Sequence, residues 1–225
     1  MITRRFYRMV PSVLLAASFA VGAAWSRAGA GSSMWLVDLA GRRVDPFADV
    51  NAKATVFLFV RVDCPISNRY APEVGRLVQK FASQGVAFEL VYVDPGESSE
   101  EIRKHMRDYG YQMTALRDNE HALVKMTGAK VTPEAAVFVP GPSGASPDLP
   151  RPPETPSGRG RRDAAVGTGL MVYRGRIDDQ YVDFGKTRPG PTVHDLEDVL
   201  QAIVRGRTVA TQTTRAVGCF IQDLK

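Results

Sequence analysis

Three apolar runs constrain this chain more than any other feature: Ala54-Thr-Val-Phe-Leu-Phe-Val60, Ala87 to Val93 and Ala135 to Val139. A strand with one wet face alternates apolar and polar residues, whereas a near-continuous run needs apolar cover on both faces. The segments between the runs supply that cover. Val74, Leu77, Val78 and Phe81 recur at i, i+3, i+4 and i+7 and predict a helix with one apolar face. Pro72 suits its first turn, where no intrahelical partner awaits the missing N–H, and Gly85 suits the position just past its end.

The remaining elements follow from local signals. Trp35 to Leu39, Gly41 and Val44 read as two short strands around a turn. Ser98 and Glu101 make a capping box before Ile102, Met106 and Tyr109, which predicts a second helix. A weak strand at 115–117 is followed by Asp118, which caps a short helix through Met126 that Gly128 ends. Gly169 to Arg174 resumes a strand pattern. Thr192 and Asp195 cap a last helix to Arg205, with Leu196, Val199, Leu200 and Ile203 inward and Gly206 as its stop. The order is β-α-β-α followed by β-β-α. Strands joined through helices are parallel with right-handed crossovers, and the closing hairpin is antiparallel. The economical solution is an α/β fold, a central mixed β-sheet with helices on both faces.

Residues 140–168 change character to Gly, Pro, Ser and Arg and cannot build a packed core, so they read as a surface insertion between two strands. Residues 1–30 form a leader. Arg4, Arg5 and Arg8 are the basic start, Met9 to Trp25 is uncharged and mostly apolar, and Ala28-Gly29-Ala30 is a small-residue cleavage site. The expected domains are a signal peptide at 1–30 and one globular domain at 31–225, placed in the periplasm or otherwise outside the cytoplasm. A membrane is a partner only if the leader stays uncleaved, as a retained anchor. The net charge of +5 owes four units to arginines of the leader, Arg27 included, which leaves about +1 for the body. That balance argues against a nucleic-acid partner.

Cysteine occurs twice, as Cys64 and Cys219. Two cysteines make neither a disulfide scaffold nor a thiolate-rich zinc site. Cys64 falls between a buried strand and a helix, at the carboxyl end of a strand where α/β sheets gather their sites. Unpaired N–H groups at a helix start favour an anion, which activates a thiol. Arg61 and Arg69 support the thiolate and Asp63 opposes it. The structural alternative is a small buried side chain.

The run Cys64-Pro65-Ile66-Ser67-Asn-Arg-Tyr70, Val131-Thr132-Pro133, Tyr173-Arg-Gly-Arg-Ile-Asp-Asp179, Phe184-Gly-Lys-Thr-Arg188 and Val217-Gly-Cys-Phe-Ile221 together resemble exported bacterial redoxins. These belong to the alkyl hydroperoxide reductase / thiol-specific antioxidant (AhpC/TSA) superfamily. The resemblance spans about residues 35 to 221 apart from the insertion. It implies a thioredoxin-like fold and a redox role for Cys64. It also implies a cis peptide at Thr132-Pro133 that faces the thiol, with Thr132 presenting its backbone to a bound thiol or peptide. The implied partners are protein or small-molecule thiols and disulfides and an external electron donor, with no cofactor.

The sequence departs from its relatives in two places. A dithiol motif would have Cys where Ser67 stands, so a mixed disulfide at Cys64 has no neighbouring thiol to resolve it. Peroxiredoxins carry P-x-x-x-T-x-x-C, and here Phe57 and Arg61 hold those places. Ser67 and the helix start are expected to stabilise the Cys64 thiolate, and Cys219 is the candidate resolver. A peroxidase is the alternative chemistry. A copper-binding assembly factor resembling Sco proteins, with Cys64, Cys219 and His194 as soft ligands, is an alternative of another class. Residue 60 is Val, however, where the Sco motif has Cys. His105 and His121 are expected on the surface. Glu73 reads as a helix-start charge, Glu134 as an exposed strand end, and Arg159, Arg161 and Arg162 as a solvated run. No phosphate-loop, dinucleotide or zinc-hydrolase motif is present.

Overall fold

In chain order the elements are β1 (Leu36–Asp38), β2 (Arg43–Val44), β3 (Ala54–Val60), α1 (Pro65–Phe81), a 3-10 turn (Ala82–Gln84), β4 (Val86–Tyr92), α2 (Ser99–Asp108), β5 (Thr114–Arg117), α3 (Ala122–Thr127), β6 (Val131–Thr132), β7 (Glu134–Val139), β8 (Leu170–Gly175), β9 (Tyr181–Asp183), β10 (Lys186–Thr187), α4 (Asp195–Val204), β11 (Gln212–Thr213) and β12 (Cys219–Phe220). The computed structural model describes residues 34–49, 51–141 and 169–222. All belong to the second of the chain's two units, Gly31–Lys225. The expected leader at 1–30 and all but the first two residues of the expected insertion lie outside the described residues.

The main sheet runs β11-β8-β7-β3-β4-β5-β1-β2. β3, β4 and β5 are parallel, as helical crossovers require, and β7 and β8 are antiparallel neighbours beyond β3. Every residue of β3 is buried. Its side chains divide by alternation, because successive strand residues point to opposite faces. Val56, Leu58 and Val60 meet Val74, Leu77 and Phe81 of α1, Ile102 of α2 and Leu196, Val199 and Leu200 of α4. Phe57 and Phe59 meet Leu123 and Val124 of α3, with Leu36 and Val91. Phe47, Phe57 and Phe138 pack edge to face at 5.1–5.7 Å between ring centroids. Such pairs are worth about 0.5–1.5 kcal/mol each beyond the area they bury. Helices thus cover both faces. Among the described residues no helix is long and apolar enough to cross a membrane.

Three boundaries differ from the sequence expectation. α1 begins at Pro65, not near Pro72: Pro65 takes the first-turn place, Cys64 is the cap, and Pro72 lies inside the helix on an exposed position. α4 begins at Asp195, because Thr192 is not its cap. The Asp179 carboxylate instead accepts from Thr192 N, Thr192 Oγ1 and Val193 N at 2.6–2.9 Å. His121 takes a left-handed conformation (φ 55°) just before α3, while Asp118 accepts from Ala122 N and Val124 N and caps the helix from three residues back. The Ser98–Glu101 capping box is formed on both sides.

Candidate active site

The loop from β3 to α1 is tied at each residue, and that fixes Cys64. The Arg61 guanidinium donates to Asp94 at 2.8 Å and to Asp63 at 3.2 Å. Val62 N donates to Glu97 Oε1 at 2.6 Å, and Asn68 Nδ2 donates to Val62 O at 3.0 Å. His105 completes this network. Asn68 Oδ1 can only accept, so His105 Nε2 carries the hydrogen at 2.8 Å. His105 Nδ1 then accepts from Tyr92 O–H, also at 2.8 Å. Burial, against the pull of Asp108, lowers the imidazole pKa and keeps this neutral tautomer. His105 is therefore buried support for the thiol loop, not the surface residue expected from its helix.

Cys64 caps α1. Its sulfur accepts from Ser67 N at 3.4 Å, and as a thiol it donates to Thr132 O at 3.0 Å. The residue is 1% exposed. Burial alone would raise the pKa. The nearby Cys219, Ser67 and Thr132 side chains and the bond from Ser67 N favour the thiolate and outweigh it, and the net shift is downward. The Ser67 and Thr132 hydroxyls are buried and have no hydrogen-bond partner among the described residues. They lie near the sulfur without a fully formed bond, so an anionic sulfur is the acceptor available to them. Arg61 contributes less than its sequence position suggests, because Asp63 and Asp94 occupy its guanidinium.

The Thr132–Pro133 peptide is cis. Glu134, expected at an exposed strand end, is buried and holds this turn: its carboxylate accepts from Lys130 N at 2.8 Å and Val131 N at 3.3 Å and faces Arg174 at 3.6 Å. β12 pairs with β6 as an antiparallel ribbon, with Cys219 opposite Thr132 and Phe220 opposite Val131. The tail thereby brings Cys219 to Cys64. Both are free thiols. Burial first, then the hydrogen bond to Cys64 and its charge, push the Cys219 thiol up to about 12. Of the two thiols, Cys219 holds its proton the more firmly and Cys64 is the one disposed to ionise.

The other motif residues are structural. Tyr70 O–H donates to buried Asp178 at 2.6 Å, which docks α1 on the segment after β8. Asp179 organises the approach to α4, with Arg188 at 3.1 Å. His194 does not join the cysteines. It groups with Glu73 and Glu197, the only such group of three among the described residues. Arg76 and Lys80 already neutralise those carboxylates. The copper alternative thus loses its third ligand. His121 is also buried, with Nε2 against Val93 O at 2.7 Å. Sequence reasoning missed Asn68, Glu97 and His105 as supports of the site.

This geometry agrees with the comparisons to known proteins. The AhpC/TSA family model matches residues 34–145. The chain carries an AhpC/TSA-family redoxin domain. No curated protein matches it. Among solved structures, it is similar to an uncharacterised conserved protein from Geobacillus kaustophilus, with 22% identity over 86% of this chain and 89% of that one and a TM-score of 0.63. A hypothetical protein from Sinorhizobium meliloti 1021 is similar at 20% identity, 85% and 91% coverage and a TM-score of 0.62. At such identities the likeness concerns the fold, which is thioredoxin-like. The thioredoxin domain of a thiol-disulfide oxidoreductase from Bacteroides vulgatus matches at 14% identity, 77% and 96% coverage and a TM-score of 0.48.

Proposed function

We propose that this redoxin is an exported thiol–disulfide oxidoreductase with Cys64 as nucleophile and Cys219 as resolving cysteine. The observation that carries the reading is the pair of unlike free thiols that the β12–β6 ribbon brings together at the Thr132–Pro133 turn. The Cys64 thiolate attacks one sulfur of a substrate disulfide. A new S–S bond forms at Cys64, and the other substrate sulfur leaves as a thiolate that takes a proton. Forming that bond consumes the charge on Cys64, which removes one of the influences that hold Cys219 protonated. Cys219 then gives up its proton, attacks the Cys64 sulfur and releases the second substrate thiol. The substrate gains two electrons and the protein is left with a Cys64–Cys219 disulfide, which an external thiol donor reduces.

Ser67 and the amides of the helix start stabilise the attacking thiolate. Export rests on the leader sequence at 1–30. The peroxidase alternative lacks the hydroxyl of the P-x-x-x-T-x-x-C pattern, since residue 61 is an arginine already paired with carboxylates.

The test mixes reduced protein with a disulfide substrate. The wild type is expected to lose two hydrogens in mass and release free thiols. Cys219→Ser is expected to stall as a covalent adduct on Cys64, and Cys64→Ser to do neither. A Cys219→Ser protein that forms no adduct at Cys64, or a wild type that consumes peroxide faster than disulfide, would sink the proposal.

A further inference from the structure

β6 has one strand partner among the described residues, and that partner is the chain's own tail. The tail is built to reach it. β11 runs parallel to β8, and Thr214 locks the turn that follows: its N donates to Arg174 O at 3.0 Å, and its Oγ1 meets Tyr173 O–H at 2.7 Å and Arg176 N at 3.1 Å. Beyond the ribbon, Ile221 N donates to Lys130 O at 3.0 Å and its side chain is buried in the core around Phe57. Between these anchors lies Gly218. A Cβ there would fall 2.1 Å from Thr132 O and 2.6 Å from Thr132 C, so the backbone touches the cis-proline turn and only glycine fits. Phe220 is 70% exposed on the outer side and has Phe184, also exposed, at 6.4 Å between ring centroids.

Cys64 is sealed beneath this ribbon. A substrate sulfur must come within bonding distance of it, and the place beside Thr132 is taken. An incoming polypeptide disulfide therefore competes with β12 for the same edge. The backbone groups that β12 would leave along this edge, the Lys130 carbonyl among them, accept any extended backbone. Side chains decide which backbone fits: none before the cysteine, an aromatic after it to stack near Phe184, and an aliphatic next to fill the place of Ile221.

We propose that Gly218–Ile221 is a resident stand-in for the substrate, and that the partner is an extended polypeptide segment of the form Gly-Cys-aromatic-aliphatic that replaces β12 on β6 and delivers its disulfide to Cys64. This rests on the oxidoreductase reading above and assigns its substrate class. In the exchange the partner's cysteine sulfur occupies the position of Cys219 Sγ. The Cys64 thiolate bonds to it, and the partner's second sulfur leaves as a thiolate. Return of the tail brings Cys219 to the mixed disulfide and expels the product.

The test uses three short peptides, Gly-Cys-Phe-Ile, Ala-Cys-Phe-Ile and Gly-Cys-Ser-Ser, each as a mixed disulfide with 5-thio-2-nitrobenzoate. Attack by Cys64 on the peptide sulfur releases colour and leaves a protein–peptide adduct visible by mass. The proteins are Cys219→Ser, Cys219→Ser with Gly218→Ala, and a chain ending at Ala216. Gly218→Ala keeps Ile221 in the chain, in case truncation harms folding. The Gly-Cys-Phe-Ile peptide is expected to react about tenfold faster than the other two, a factor that corresponds to ~1.4 kcal/mol. Loosening or removing the ribbon is expected to speed it by a similar factor while the preference among peptides remains. Equal rates for the three peptides, or no gain from either ribbon variant, overturn the inference. A Cys64 that is inert even to the small symmetric aryl disulfide overturns instead the oxidoreductase reading on which it rests.

Discussion

Replacing Glu97 with Gln removes a charge that the fold holds at a cost. Burial, the largest influence, lifts this carboxyl from 4.5 to about 7; the bond from Val62 N opposes it, Asp94 and Asp63 add to it, and Arg61 subtracts. Oε2 has no partner among the described residues. An unfolded chain ionises the group near 4.5. Between 4.5 and about 7 the folded protein therefore keeps a proton that the unfolded chain has released, so stability falls as pH rises through that window. At ~1.36 kcal/mol per pH unit the gap sets a ceiling of about 3 kcal/mol, and residual solvent access reduces it to about 1–3 kcal/mol. Gln carries no charge and retains an oxygen for Val62 N. Urea midpoints of wild type and Glu97→Gln, measured at about pH 4 and about pH 8, isolate the effect from all other titrating groups. The variant is expected to gain about 1–3 kcal/mol on wild type between the two conditions. A stability difference that is the same at both pH values refutes the reasoning.

Ser67→Ala removes a hydroxyl that helps lower the Cys64 pKa, so the midpoint of its alkylation rate against pH should move up, while an unchanged midpoint would remove Ser67 from that role. Phe57→Ala opens a cavity between β3 and α3 and should cost about 3–5 kcal/mol in urea unfolding. Asp118→Ala leaves two amides of α3 unpaired and should cost about 1–2 kcal/mol, with faster hydrogen exchange confined to Ala122–Thr127. His105→Ala frees Asn68 and Tyr92 and should slow Cys64 alkylation or broaden its pH profile while the bulk fold, followed by far-ultraviolet circular dichroism, stays intact.

The strands were legible because burial on both faces leaves a local signature. Ala54–Val60 could hardly be anything but an inner strand, and the capping box at Ser98–Glu101 is complete within four residues. The start of α1 was harder. Pro65 and Pro72 both suit a first turn, and the choice between them depends on Cys64 acting as cap, which is settled by the cis-proline turn 68 residues later in the chain. The buried polar residues follow the same logic. His105 and His121 read as surface residues because nothing beside them in sequence is their partner, and Glu134 because its neighbours Lys130 and Val131 offer it only backbone amides. Tyr92, Val93 and Arg174 reach them only across the assembled sheet. Cys64 was marked by its position after an inner strand, and Ser67 by the motif. The place of Cys219 rests on a two-residue ribbon, too short to leave a periodic pattern.

The distance in sequence between the two thiols has its own consequence. A bond between Cys64 and Cys219 closes a loop of 155 residues (219 − 64), which takes in five of the main sheet's eight strands and all four helices. Chain-entropy arguments put such a closure near ~5 kcal/mol of stabilisation, against the small change a neighbouring dithiol would bring. Oxidation at this site is then felt by the whole domain: the disulfide form should resist heat and proteases markedly better than the dithiol. The converse follows by the same cycle. Conditions that loosen the fold make the disulfide easier to reduce, so the protein gives up its oxidised state most readily when it is itself under stress.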